Sequence, residues 1–101
     1  MNKEIKMVID EIIKGYEPEK IILFGSNSSG EYNNYSDIDL LVIKNDKKKA
    51  FERNRLIRNL LKDFSIPVDI ITKTPKEFEI LKDVVGTIVF TANKYGKVVY
   101  G

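Results

Sequence analysis

Ile21-Ile22-Leu23-Phe24-Gly25-Ser26, ten further residues, and then Asp37-Ile38-Asp39-Leu40-Leu41-Val42 form the stretch on which the reading of this chain turns. The first apolar run ends in Gly-Ser, and the second opens with two aspartates one residue apart. Side chains alternate between the two faces of a strand, so Asp37 and Asp39 would project side by side while Ile38, Leu40 and Val42 face a core. Two carboxylates held together repel unless a cation joins them or one takes a proton. Hard oxygen donors of this kind suit Mg²⁺, which is usually held by one or two carboxylates together with substrate phosphates. The Gly25-Ser26 turn supplies the complementary half. Small residues let backbone N–H groups approach an anion, and a helix start beyond them would add its positive dipole end. Asp-x-Asp alone is ordinarily a solvated pair, and Gly-Ser alone is loop punctuation. Only their conjunction at the ends of two strands makes a metal-plus-phosphate site specific.

Composition narrows the chemistry. A chain of 101 residues has room for one packed core. Its 43% hydrophobic and 32% charged content is ordinary for a soluble globular protein. No run reaches the roughly 18 apolar residues of a membrane span, and the amphipathic N-terminus lacks a signal-peptide core, so the expectation is a cytoplasmic protein without membrane contact. Cysteine and histidine are absent, which removes disulfides, thiolate metal sites and the commonest general base. Acid–base chemistry falls to carboxylates, Lys or Tyr. The net charge of +2, from 17 basic and 15 acidic residues, is too balanced for an expected nucleic-acid binder. Arg53, Arg55 and Arg58 cluster behind Lys47-Lys48-Lys49; this reads as the solvated face of a helix, with an acidic partner or nucleotide as the other reading.

The rest of the chain supplies elements to carry these motifs. Residues 3–14 place Ile5, Val8, Ile9, Ile12 and Ile13 on one helical stripe, with Gly15 as the expected stop. Lys20–Phe24 is apolar without alternation, as expected of a strand buried on both faces in a mixed sheet. Residues 25–36 are a polar loop in which Gly30 is expected in a conformation barred to other residues. Tyr32 and Tyr35 within it either stack on a base, contact a partner or pack the loop down. A strand over 37–43, a helix over 49–64 and a strand over 66–71 follow, with Pro67 at the start or on an edge. Asp69 interrupts that last β-branched strand. It must lie at a surface edge or join a polar site, because a lone buried carboxylate is costly. Spacing leaves open which strands pair. Thr74-Pro75-Lys76-Glu77 is a helix start. Residues 84–93 suit a helix in spacing, capped by Gly96, and Lys97–Tyr100 is a closing strand.

Gly25-Ser26, ten residues and Asp37-x-Asp39 resemble the signature of the polymerase β-like nucleotidyltransferases. The Ser36–Leu40 run and the small size resemble their stand-alone minimal nucleotidyltransferase domains of the antitoxin type. The resemblance runs to Gly96–Tyr100 and implies a single domain over 1–101. The implied fold is a mixed α+β one: a small mixed sheet of about four strands with helices packed on it. It implies a third carboxylate, Asp69, on the strand beside Asp37 and Asp39. The implied reaction is attack of a hydroxyl on the α-phosphorus of a nucleoside triphosphate. Asp37, Asp39 and Asp69 would hold two Mg²⁺ ions, and Asp69 would help take the hydroxyl proton. Gly25 and Ser26 would cradle the phosphates. The family's minimal members are commonly paired with helical HEPN toxins and transfer AMP from ATP to a toxin tyrosine, which implies such a partner here. Asn27, Ser29 and Asn33 stand where related loops often carry arginines, so this loop departs from the pattern. A non-catalytic antitoxin and a transferase acting on a small hydroxylated molecule are the other readings. A polymerase role lacks any duplex-gripping segment.

Overall fold

The computed structural model of the protein describes residues 3–25 and 38–101. Four strands, β1 (Lys20–Phe24), β2 (Ile38–Ile43), β3 (Val68–Lys73) and β4 (Lys97–Tyr100), form one sheet in the order β3-β2-β1-β4. The β1 strand runs antiparallel to both β2 and β4, whereas β2 and β3 are parallel, so the sheet is mixed. The parallel pair requires a crossover, which α2 (Ala50–Leu60) supplies. Helices α1 (Lys3–Tyr16) and α2 bury their apolar stripes on one face, with Ile5, Val8, Ile12 and Ile57 packed against Ile21, Leu23, Ile38, Leu40 and Val42. On the other face α3 (Pro75–Leu81) and α4 (Ile88–Tyr95) set Phe78, Val89 and Ala92 against Ile22, Phe24, Leu41 and Ile43. Both central strands are thus buried on two sides, which is why β1 and most of β2 read as unbroken apolar runs.

Several expectations of detail are corrected. Gly15 does not stop α1; it lies inside the helix, where an added Cβ would stand 2.6 Å from Leu60 Cδ2. The glycine permits close approach of α1 and α2. The turn out of the helix comes at Glu17 instead, at φ 54°, with its N–H on the Ile13 carbonyl. Helix α2 is shorter than 49–64, and Leu61–Phe64 leave it through turn hydrogen bonds. The third strand is shifted to Val68–Lys73, with Pro67 just ahead of it on this edge strand; its carbonyl accepts the Ile38 N–H at 3.1 Å. Residues 84–87 are a turn and only Ile88–Tyr95 is helical, because Thr87 accepts the Phe90 N–H as the N-cap. Gly96 does follow the helix, but at φ −80° it is extended, not left-handed. It is needed for space, since a Cβ there would meet the Ala92 carbonyl oxygen at 2.4 Å. Thr74 and Glu77 form the expected reciprocal cap.

Arg53 is a further correction, being 5% exposed rather than part of a solvated face. Its Nε donates to Thr72 Oγ1 at 3.0 Å and its guanidinium reaches the Lys48 carbonyl at 2.9 Å and Glu77 at 3.5 Å. Thr72 in turn donates to Asn54, so α2, the β2–α2 turn, β3 and α3 are tied at one point. Beside this knot Tyr16 donates to Asp46 at 2.8 Å and Lys48 N–H donates to the same carboxylate at 2.9 Å. Those donors hold the Asp46 carboxyl below its usual range, that from Lys48 above all, while burial and the bond to Asp46 push the Tyr16 phenol up.

Candidate active site

The sheet places two of the expected carboxylates together. Asp39 is the second residue of β2, Asp69 the second of β3, and the parallel ladder sets them directly opposite each other. Alternation fixes the face: Leu41, Ile43 and Ile71, two and four residues on, pack under α3 and α4. Both carboxylates therefore project from that face at the end where β2 and β3 begin. Asp39 is half-buried and Asp69 exposed. Asp69 lies on an edge strand, in register with the Asp39 carboxylate of its neighbour. Neighbouring strands are about 4.8 Å apart. At such separations two unit charges repel by about 1 kcal/mol in water and several-fold more where the dielectric is lower.

Gly25 completes the corner. Phe24 ends β1 opposite Asp39, and Gly25 follows at φ 78°, in the left-handed region that glycine enters without strain. A Cβ at this position would lie 2.1 Å from Asp39 Oδ2 and 3.1 Å from Cγ. The bare glycine Cα thus leaves the space that the Asp39 carboxylate fills. Ser26 and Asp37 lie outside the described residues, as do Asn27, Ser29, Gly30, Tyr32, Asn33 and Tyr35. Among the described residues no group of three acidic, histidine or cysteine side chains gathers, and the third expected carboxylate, Asp37, is not one of them. As a donor set, two oxygen carboxylates in register with no thiolate or imidazole fit Mg²⁺ better than zinc.

Clefts elsewhere among the described residues are of a different kind. One of about 600 Å³ is lined by Glu19, Asn45, Asp46, Lys47 and Thr74, at the opposite end of the sheet. Its Glu19 and Asp46 already accept the Asn45 and Lys48 N–H groups. Sequence reasoning missed Arg53, although a signal existed: it lies three residues after Ala50 and four before Ile57, on the inward stripe of α2. It also passed over α4's last turn, where the Lys94 ammonium lies 5.6 Å from the Phe90 ring and 5.3 Å from that of Tyr95. No helix among the described residues is long and apolar enough to cross a membrane.

Comparison with known proteins follows the same lines. The family described as nucleotidyltransferase domain matches residues 4–95. A Methanocaldococcus jannaschii protein named as a candidate protein adenylyltransferase is 36% identical over 69 residues, 61% of this chain but 47% of its own length. The chain thus spans about half of that relative. A second protein of that organism, named likewise, is 32% identical over 69 residues, covering 68% of each. Among solved structures, a mutant of the toxin–antitoxin pair MntA–HpeT superimposes with a TM-score of 0.63 over 99% of this chain and 74% of that one, at 22% identity. At that identity the likeness is one of fold.

Proposed function

The chain belongs to the nucleotidyltransferase domain family, and from that premise we propose that it transfers AMP from ATP to a protein hydroxyl, with residues 1–101 acting as one catalytic unit. The observation that carries this reading is the in-register pair Asp39 and Asp69 beside Gly25. The names of the curated relatives support a protein acceptor. The name of the superimposed toxin–antitoxin pair supports a toxin as partner and an antitoxin role; a tyrosine of a helical HEPN protein as the acceptor is part of the same proposal and rests on the family resemblance alone.

Asp39 and Asp69, with Asp37, would hold Mg²⁺, which supplies charge neutralisation at the phosphates and polarises the phosphoryl oxygens when bound. Each residue of the chain then has a separate task. The Gly25 turn, with Ser26, receives the triphosphate by backbone N–H groups and the Ser26 hydroxyl. Asp69, exposed on the edge strand, would take the proton of the attacking hydroxyl. In a chain without histidine a carboxylate is the natural base. Positioning of hydroxyl against phosphate and stabilisation of the developing charge would together supply the acceleration, as in other phosphoryl transfers.

The test is incubation with Mg²⁺ and α-labelled ATP after co-purification with whatever protein the chain binds in its own cell. Wild type should label that protein and Asp39→Asn should not. Equal labelling by both would remove the carboxylates from the chemistry, and no labelling by either would remove the transferase reading.

A further inference from the structure

Tyr95 ends α4, and the residue behind it is pressed onto β1. A Cβ on Gly96 would stand 2.7 Å from Ile22 Cγ2 and 3.0 Å from the Leu23 carbonyl oxygen, and Lys97 then pairs with Leu23. Two residues on from Leu23, just past the end of β1, is Gly25, against the Asp39 carboxylate. Helix α4 packs through Val89 and Ala92 on the face from which Asp39 and Asp69 project. At about 3.3 Å per residue and 4.8 Å between strands, the Tyr95 backbone lies on the order of 10–15 Å from Asp39. A phenol and a nucleotide phosphate together fill such a gap. The Tyr95 side chain is 66% exposed, and the Lys94 ammonium 5.3 Å from its ring offers a cation to phosphate oxygens.

Among the described residues the other hydroxyls are committed or misplaced. Tyr16 is buried and donates to Asp46. Thr72 donates to Asn54, Thr74 caps α3, Thr87 donates to the Leu81 and Val84 carbonyls, and Thr91 donates to the Thr87 carbonyl. Tyr100 lies at the far end of β4, opposite Ile21. Ser65 is exposed, but it carries an alkanol. A phenol ionises near pH 10, far below an alkanol, so a carboxylate base removes its proton more readily.

We propose that Tyr95 is itself an acceptor, a self-modification site that receives the nucleoside monophosphate. This rests on the transferase reading above. The phenolic oxygen of Tyr95 attacks the α-phosphorus of ATP and forms a new O–P bond. The bond from that phosphorus to the oxygen bridging to the β-phosphorus breaks, and pyrophosphate leaves with the electron pair. The phenolic proton passes to the Asp69 carboxylate and on to water. The product is an aryl phosphodiester on the last turn of α4.

The experiment is labelling of the purified full chain with Mg²⁺ and α-labelled ATP, followed by peptide mapping. Wild type is expected to carry the label on the peptide holding Tyr95. Tyr95→Phe loses it while keeping the wild-type melting curve, and Tyr100→Phe retains it. Label that persists in Tyr95→Phe, or maps to Ser65, Tyr32 or Tyr35, overturns the assignment. Calorimetric Mg²⁺-dependent ATP binding and labelling of a co-purified protein are read in parallel. If wild type binds ATP and labels that protein while Tyr95 stays bare, only the self-modification falls. Absence of ATP binding and of all label would sink the transferase reading, and this one with it.

Discussion

The tightest constraint at the residue scale is the contact between Gly25 and Asp39. Any side chain at position 25 would overlap the carboxylate and would also have to accept a φ of 78°. Backbone strain of that kind costs on the order of 1–3 kcal/mol. Gly25→Ala is therefore expected to lower thermal stability modestly but to abolish Mg²⁺-dependent ATP binding; unchanged binding in a folded variant would show that the carboxylate position is unimportant. Titration gives a second residue-level prediction. Asp46 is held low by the Lys48 N–H first and by Tyr16, and Glu77 is held low by the Thr74 N–H first. For a depressed carboxyl the stabilisation is present above its unfolded pKa, about 4, and is lost as pH falls through the folded value. Tyr16 is raised by burial first, so its contribution is present below about pH 10 and lost as pH climbs through the higher folded value. Urea melts should show both an acid and an alkaline fall, and Asp46→Asn should flatten each.

At the element scale the decisive joint is the one Arg53 makes. It ties an edge strand carrying Asp69 to α2 and α3, and replacing it with Met would strip donors from the Thr72 and Lys48 oxygens and leave Glu77 without its guanidinium. Breaking a buried charge network costs about 3–5 kcal/mol, moderated here by the partly exposed Glu77. Arg53→Met is expected to lose about 2–4 kcal/mol in urea unfolding, and a loss below about 0.5 kcal/mol, typical of a surface change, would contradict the role. This joint also shows where sequence reasoning runs out. The apolar runs of β1 and β2, the stripe of α1 and the cap at Thr74 announce themselves, because each is decided by neighbours within a few residues. Arg53 sits on the inward stripe of α2, yet charge composition outweighed position in the reading. Its partners Thr72 and Glu77 are 19 and 24 residues away, and nothing local names them. Gly15 looks like a stop for the same reason. Local signals suggest a terminator, whereas the cause is a neighbour packed close in space.

For the whole molecule, the topology is what converts scattered residues into a site. The parallel β2–β3 pair aligns Asp39 with Asp69, and the antiparallel β1–β2 pair brings the end of β1 to the same corner. The sequence placed the aspartates and the glycine; the strand order, which spacing could not reveal, placed them together. The corner of Gly25, Asp39 and Asp69 and the Arg53 knot lie toward opposite ends of the sheet, so substitutions at one should leave the other intact. The most direct test of the central claim is calorimetric titration of the full chain with ATP, with and without Mg²⁺, for wild type and for Asp69→Asn, whose exposed side chain makes unfolding no explanation. Saturating ligand at about 100 times Kd should also add about 2.7 kcal/mol of stability. Wild type is predicted to bind only with Mg²⁺ present, and Asp69→Asn to bind at least tenfold more weakly, about 1.4 kcal/mol. Equal affinity with and without the metal, or in the two proteins, would contradict the account.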